Sequence, residues 1–178
     1  MVHDGLLFDI RPEGPGDADA IRRVHDAAFG GQLESGIVEA LRGSEGWLPD
    51  GSLVAAVPDT GVVGHLLLSG GHLVAAGGKE VEIGIIGPVG VVPDRQGQGI
   101  GSALMWRAID VATRRGLPLV CLLGHADYYP RFGFEPARGI GVEPPHPWPD
   151  PNWLALCLLA WQAGLRGRVR FPPAFTHQ

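Results

Sequence analysis

The chain has 178 residues, 45% of them hydrophobic, and a formal net charge of −5 with scattered basic residues. This balance excludes a disordered chain and gives no basic footprint for nucleic acid, and one domain over residues 1–178 is the simplest interpretation of the length. The longest apolar run, residues 153–163, is too short to span a bilayer, and the first ten residues lack the basic segment of a signal peptide. Both cysteines lie in apolar runs and are expected to be free thiols, so we expect a cytoplasmic protein.

The first part of the chain predicts one strand followed by two helices. Residues 6–10 have strand character, which we expect Arg11 and Pro12 to end. Asp17 stands where it can cap the next helix. Apolar residues at helical spacing indicate the two helices, with Ile21, Val24 and Ala28 in the first and Leu33, Ile37 and Leu41 in the second.

The middle of the chain predicts a meander and then a crossover. Three strands are expected at short intervals, over residues 52–57, 62–69 and 79–92. Turns containing glycine separate them, so they should pair antiparallel. A glycine-rich turn then leads into an amphipathic helix that ends before Gly116, and residues 117–123 form a buried strand. A crossover through a helix places that strand parallel to the one before the glycine-rich turn.

The last part of the chain is less regular. Residues 125–131 are expected to form a short helix, and residues 139–150 contain too many prolines for anything but an irregular loop. Two closing strands are predicted over residues 153–159 and 168–171, and these could pair between subunits of a homodimer. Trp148 and Trp153 beside the loop either wall an acceptor pocket or belong to the core, and large aromatic residues favour the core.

Residues 89–102, VGVVPDRQGQGIGS, are the most informative stretch of the sequence. Glycines 97, 99 and 101 leave the backbone open to a ligand where a helix begins, and the first N–H groups of a helix lack internal partners. Together with the helix dipole, this predicts an anion site suited to a diphosphate. A P-loop is excluded because no lysine follows Gly101, and the spacing G-x-G-x-G differs from the dinucleotide fingerprint.

The hexapeptide from Gln96 to Gly101, QGQGIG, resembles the acetyl-CoA loop of the GCN5-related N-acetyltransferase (GNAT) superfamily. Residues 128–134, YYPRFGF, are similar to the tyrosine-containing signature that follows the parallel strand in the same superfamily. The resemblance extends from about Leu7 to Phe171. It implies an α/β fold of the mixed α+β kind, in which helices flank a mostly antiparallel central sheet with one parallel, splayed strand pair.

The resemblance also implies acetyl-CoA as the co-substrate. The pantetheine arm would insert between the splayed strands, where Val89, Gly90 and Val91 supply main-chain hydrogen bonds and an N–H group that stabilises the oxyanion. His125 follows the parallel strand and is a candidate for contact with pantetheine or substrate. The diphosphate would be held by the loop and the first turn of the helix: Gln96, Gly97, Gln98, Gly99, Ile100, Gly101 and Ser102.

The same resemblance indicates one residue for the acid role and leaves the base open. Tyr129 matches the tyrosine that protonates the departing thiolate, whereas Tyr128 is expected to face elsewhere and pack. Superfamily members often carry a glutamate on the strand before the glycine loop, but residues 84–92 contain no carboxylate. Glu80 and Glu82 lie earlier on that strand, and Glu34 on the second helix is the alternative base. Surface roles for these glutamates are at least as common, and a water chain or an amine that arrives neutral would also serve.

The sequence therefore predicts direct transfer of an acetyl group to a primary amine of a small molecule or peptide. The alternative is an acyl-CoA-binding module without turnover, which the missing strand glutamate favours. The histidines match no metal spacing, and His65, in an apolar strand, is expected to be structural. No metal, nucleic acid or membrane partner is expected, and the net acidity hints at cationic amines such as polyamines or aminoglycosides.

Overall fold

A computed structural model describes residues 2–3, 6–148 and 151–175. It contains three α-helices in these ranges: α1 Ala18–Phe29, α2 Leu33–Leu41 and α3 Ile100–Arg114. The strands are β1 Val2–His3, β2 Leu6–Leu7, β3 Asp9–Pro12, β4 Ser52–Val57, β5 Gly61–Val74, β6 Glu80–Val91, β7 Leu119–Leu123, β8 Glu135–Pro136, β9 Val142–Glu143, β10 Trp153–Cys157 and β11 Gly167–Arg170.

Nine of the strands in the described part of the chain form one sheet, in which β3, β4, β5, β6, β7, β10 and β8 are successive neighbours. The long strand β5 pairs with β4 along its first half and with β11 at its far end. Pairing is antiparallel except between β6 and β7 and in the short contact of β9 with β11. This mixed, mostly antiparallel sheet with its flanking helices confirms the predicted fold class.

The sheet opens between its two central parallel strands. Strand β6 pairs with β7 only at Gly84 with Val120 and at Ile85 with Cys121. Beyond Ile85, β6 stays paired with β5 as far as Val91, but its other edge has no partner strand in the described chain. The backbone of the last six residues of β6 therefore borders a split in the sheet.

The faces of the sheet are covered by different elements. Helix α3 buries Ile100, Leu104 and Ala108 against one face, as its apolar stripe predicts. Helices α1 and α2 cover part of the other face, where Ile21 and Val38 pack together in one cluster. The rest of that face is covered by the loop and tail of the C-terminal region. Among the described helices, none is long and apolar enough to cross a membrane.

The N-terminal region differs from the prediction in three details. The single strand predicted over residues 6–10 is divided: Leu6–Leu7 is β2, which pairs with β1 in a separate two-stranded sheet, and β3 begins at Asp9. Arg11 and Pro12 do not end the predicted strand but belong to β3, which pairs with β4 as far as Leu53. Strand β3 lies at the edge of the sheet, where the missing N–H of a proline is tolerated. Asp17 stands at the N-cap of α1 but makes no capping bond, because its carboxylate accepts hydrogen bonds from Arg11 and from the Gly14 amide.

The predicted apolar face of α2 is also only partly right. Leu41 is buried as expected, but Leu33 is exposed, and Val38 takes the buried position between them. A nine-residue helix carries too few apolar positions for the sequence to fix its rotation. Ile37 is only half-buried and packs against the cluster that contains Val38 and Leu41.

The C-terminal region is more regular than predicted. Residues 139–150 were expected to form only an irregular loop, but Val142–Glu143 forms β9 beside β11, and residues 149–150 lie outside the described part of the chain. The short helix predicted over residues 125–131 is a 3-10 turn over Tyr129–Phe132. Trp153 lies in the core, where its indole N–H donates to the Val142 carbonyl at 2.9 Å. The C-terminal strands pair within the chain.

Candidate functional site

The glycine loop between β6 and α3 has the geometry that its sequence predicts. After a short 3-10 turn over Pro93–Arg95, Gly97 and Gly99 adopt left-handed backbone angles, with φ of 74° and 81°. A side chain at either position would be strained, because residues with a Cβ rarely adopt this conformation. The Gln96 side chain turns back and donates to the Val91 carbonyl at 2.9 Å, which ties the loop to the end of β6.

Helix α3 begins at Ile100, immediately after the loop, with Gly99 as its N-cap. The first N–H groups of a helix have no partner within it, so the amides around Ile100 and Gly101 are free to bind a ligand. A Cβ on Gly101 would come within 3.4 Å of the Tyr128 hydroxyl, which lies 3.3 Å from the Ser102 hydroxyl. Two hydroxyl groups thus stand at the mouth of the helix.

A cleft of about 520 Å³ lies between the end of β6, the glycine loop and the turn after β7; we call it the α3-side cleft. It brings together eight of the predicted binding residues and Tyr129, while Gly90, Gln98 and His125 do not line it. The lining residues are Val89, Val91, Arg95, Gln96, Gly97, Gly99, Ile100, Gly101, Ser102, Tyr128, Tyr129 and Arg131.

Three residues of this cleft were missed or misjudged from the sequence. Tyr128 was expected to face elsewhere, but it lines the cleft, contacts Ser102 and meets the Tyr129 ring. Arg131 lies over the Tyr128 ring, with its guanidinium carbon 4.4 Å from the ring centre, and donates to the Tyr128 carbonyl at 2.8 Å. With Arg95 it adds two positive charges to the field of the helix dipole, which suits an anionic ligand.

Tyr129 is held in place by its neighbours. A Cβ on Gly124 would lie 2.1 Å from the Cε2 atom of Tyr129, so the ring occupies space that only a glycine leaves open. The ring also meets the Tyr128 ring edge to face, with the two ring centres 5.1 Å apart. Burial, with a smaller contribution from Tyr128, raises the pKa of Tyr129 above its ordinary value, so the hydroxyl stays protonated at neutral pH. Among the described residues it makes no hydrogen bond, which leaves its proton available to a bound molecule.

A second cavity, of about 510 Å³, lies on the other face of the sheet; we call it the α2-side cavity. Its walls are residues 85–88 of β6, which precede the cleft residue Val89, together with the end of β7, α2 and the C-terminal loop and tail. Because β6 and β7 separate after Ile85, the split in the sheet lies between the cleft and the cavity. The lining residues are Ile37, Ile85, Ile86, Gly87, Pro88, Leu123, His146, Pro147, Trp148, Phe171 and Phe175.

The candidate bases lie outside both sets of lining residues. Glu80 and Glu82 stand at the start of β6, at the other end of the strand from Val89, and Glu80 is paired with Arg170. Glu34 lies one turn before Ile37 on α2, and residues three apart share a helix face. Glu34 therefore shares a helix face with Ile37, which lines the α2-side cavity. His125 is exposed, and its backbone carbonyl accepts from the Tyr128 amide at 3.1 Å.

A chain of buried polar side chains lies beneath β6, on the face covered by α1. Ser52 donates to the Glu13 carboxylate, so the Nε2 atom of His65, at 2.9 Å, must donate its proton to the Ser52 oxygen. The Nδ1 atom of His65 then accepts from Nε2 of His25 at 2.7 Å. This confirms that His65 is a satisfied structural histidine.

The same bonding pattern leaves the Nδ1 atom of His25 without a proton. It is buried, has no hydrogen-bond partner, and lies 2.9 Å from where a Cβ on Gly90 would be. Burial lowers the pKa of His25 to about 4 and that of His65 well below its usual range. Both imidazoles are therefore neutral at pH 7. Gly90 is required because the His25 ring occupies the space that a side chain at position 90 would need.

The described residues contain no group of three or more histidine, cysteine or acidic side chains that could hold a metal ion. A family model described as an acetyltransferase (GNAT) domain matches residues 9–137 of this chain. The N-acetyltransferase YjhQ of Escherichia coli K12, described as uncharacterized, is 35% identical over 158 residues, which cover 86% of each protein.

Two solved structures have a similar fold over nearly the whole chain. The GNAT family N-acetyltransferase YhbS from Escherichia coli, in complex with CoA, superposes with a TM-score of 0.86 at 26% identity and covers 98% of this chain and 95% of its own. A GNAT family acetyltransferase from Brucella melitensis, in complex with acetyl-CoA, gives a TM-score of 0.75 at 33% identity, and the match covers 95% of this chain and 98% of that protein's chain.

Proposed function

The chain belongs to the GNAT family of acetyltransferases, and from this premise we propose that it transfers the acetyl group of acetyl-CoA directly to a primary amine. The observation that carries the proposal is the continuity of the α3-side cleft, which runs from the free edge of β6 to the mouth of α3. The free edge of β6 suits an extended arm that forms hydrogen bonds with the main chain, and the mouth of α3 suits a diphosphate. Two relatives of known structure bind CoA or acetyl-CoA, in agreement with this assignment.

The diphosphate would be held by main-chain N–H groups of the glycine loop and the first turn of α3, from Gly97 to Ser102. These groups are fixed before the ligand arrives, since the helix and the two left-handed glycines set their directions. Arg95 and Arg131 at the edge of the cleft would add attraction that falls with ionic strength. Gln98 contributes through the backbone, because its side chain donates to the Asp94 carbonyl at 3.1 Å.

The pantetheine arm would lie along the unpaired edge of β6, with its thioester near Val89. Val89 and Val91 line the cleft, and the N–H groups of this edge are the candidate donors to the carbonyl oxygen as it gains negative charge. Such donors contribute most where water is excluded, and both valines are packed against the α3 core. Gly90 serves a different purpose, since it makes room for His25.

The transfer itself forms a bond between the amine nitrogen and the acetyl carbon as the carbon–sulfur bond breaks. The electron pair of that bond leaves with sulfur, and Tyr129 would supply the proton that converts the thiolate to a thiol. Its raised pKa keeps that proton in place until the sulfur needs it. The proton lost by the amine would pass to Glu34, directly or through water, or would already be absent from an amine that arrives neutral.

The alternative is a domain that binds acyl-CoA without turnover. One observation favours it: among the described residues, neither the cleft nor the α2-side cavity is lined by a carboxylate that could act as a base. Both functions require acetyl-CoA binding, so binding does not separate them.

Release of free thiol from acetyl-CoA separates the two functions. Catalysis predicts thiol release that depends on an added amine, with formation of the N-acetyl product in equal amount. A binding domain predicts a saturable heat of acetyl-CoA binding by calorimetry with no amine-dependent thiol. Glu34→Gln tests the base assignment, because loss of a base lowers kcat most at the low end of the pH range, where the amine is most protonated.

A further inference from the structure

Apart from His146, the described side chains that line the α2-side cavity are apolar. Branched and aromatic side chains from four separate parts of the chain meet there: Ile37 of α2, Ile86 and Pro88 of β6, Leu123 of β7, and Trp148 and Phe171 of the C-terminal region. From these walls we infer that the acceptor is a monoamine carried on an aromatic or branched apolar group. This inference rests on the proposed function, since it assigns the amine to this cavity.

The charge of the described walls disfavours acceptors with several ammonium groups. No aspartate or glutamate is present among its described lining residues, and the only titratable side chain there is His146, which is exposed at the rim. A second ammonium group would lose its water without gaining a carboxylate partner, which is strongly unfavourable. Polyamines and aminoglycosides, which the acidity of the whole chain suggested, do not fit these walls.

The aromatic wall is fixed in position before a ligand binds. The Trp148 ring lies 5.6 Å from the rings of Trp153 and Phe171, and Phe171 lies 5.0 Å from Phe175. Arg138 donates two bonds of 3.2 Å to the Trp148 carbonyl, which holds its backbone. A planar apolar group of the acceptor could pack against these rings without having to order them first.

The position of the cavity places the amine at the reacting carbon. Pro88 lines the cavity and the next residue, Val89, lines the α3-side cleft, at the part of β6 that has separated from β7. An acceptor with its apolar body against Trp148 would therefore direct its amine into the split. Apolar surroundings also lower the pKa of an ammonium group, which favours the neutral, nucleophilic amine. This accounts for a site that has no carboxylate base among the described residues of either wall.

The test compares 2-phenylethylamine with 1,4-diaminobutane, two primary amines that differ in apolar group and charge. Thiol release with acetyl-CoA gives kcat/KM for each, and we expect the aromatic amine to be favoured by about 100-fold, the order that an apolar pocket can supply. Leu123→Glu places a carboxylate on the wall at a residue that is already 47% exposed, so the fold should tolerate it. It should reduce the preference several-fold by pairing with the second ammonium group of the diamine, while Leu159→Glu, at a residue that is 93% exposed, should leave the preference unchanged.

Binding of each amine to the CoA-loaded protein, measured by calorimetry, separates this inference from the proposed function. Saturable binding of 2-phenylethylamine that Trp148→Ala weakens, without any thiol release, would support the apolar site and overturn the catalytic proposal. Faster acetylation of 1,4-diaminobutane by the unchanged protein would overturn the apolar site and leave catalysis standing. If neither amine binds or reacts, the inference fails.

Discussion

The α3-side cleft and the α2-side cavity are built on the same strand and have similar volumes, yet their chemistry differs. The cleft is formed by main chain, hydroxyl groups and two arginines, most of them within residues 89–102 and 128–131. The cavity is formed by bulky side chains from parts of the chain up to 138 residues apart, from Ile37 to Phe175. Backbone groups that bind a ligand can be supplied by one contiguous motif, whereas a site made of side chains depends on the complete fold.

This difference predicts that the cleft is sensitive to single changes in the loop. Gly99→Glu would force a side chain into a left-handed conformation and place a carboxylate at the diphosphate site. At about 4 Å and an effective dielectric constant of about 20, one repulsive charge pair costs about 4 kcal/mol, so acetyl-CoA affinity should fall roughly 1000-fold. Calorimetry measures the loss. Gly78→Glu is the control, since Gly78 has a similar φ of 79° far from the loop and should leave affinity unchanged.

Tyr129 gives the next largest effect and separates chemistry from binding. Tyr129→Phe keeps the ring packed against Gly124 but removes the proton, so kcat should fall roughly 100-fold while acetyl-CoA affinity is kept. Tyr128→Phe, on the adjacent ring, should lower kcat much less. Equal turnover by the Tyr129→Phe variant and the unchanged protein would remove the acid assignment.

Arg131 tests whether charge contributes at the edge of the cleft. Arg131→Gln should weaken acetyl-CoA binding by about tenfold at low salt, and the difference from the unchanged protein should shrink as salt is added. Arg114→Gln, on the exposed end of α3, is the matched control because Arg114 pairs with Asp110 outside the cleft. A loss for Arg131→Gln that did not change with salt would indicate packing on Tyr128 rather than attraction to the ligand.

The buried histidines affect stability and leave activity unchanged. Both pKa values are lowered by folding, so the unfolded chain binds protons that the folded chain does not, and stability is full above pH 6.5 and falls as the pH drops toward 4. At pH 5.5 protonation of the unfolded chain at His25 should lower the free energy of unfolding by roughly 1 kcal/mol, and protonation at His65 should lower it further. Urea unfolding across this range should show a flatter profile for a His25→Leu, His65→Leu double variant. The exposed His146→Leu variant should keep the original profile.

The sequence predicts the features that depend on local signals and misses those that depend on tertiary packing. The order of the main elements, the parallel pair and the start of α3 were predicted, because glycines, turns and apolar periodicity are local signals. The sequence did not reveal that Val38 rather than Ile37 is buried on α2, since tertiary packing decides the rotation of a short helix. It also missed β9, whose two residues are paired only because β11 lies beside them.

The residues of the candidate site were likewise predicted where they lie in one motif and missed where the fold brings them together. The loop residues from Gln96 to Ser102 were identified from a contiguous motif, and all but Gln98 line the cleft. Arg95 and Arg131 were missed, because exposed arginines carry no local signal of what they face. The apolar acceptor walls could not be predicted either, since nothing in the sequence brings Ile37 next to Trp148.

The most direct test of the central claim is amide chemical-shift mapping during titration with CoA. We expect the largest shifts at the amides of Gly97, Gly99, Ile100, Gly101 and Ser102 and along Val89–Val91, with smaller changes around the α2-side cavity. Shifts concentrated at another surface, or no shifts at millimolar CoA, would contradict the proposed binding of the diphosphate at the mouth of α3.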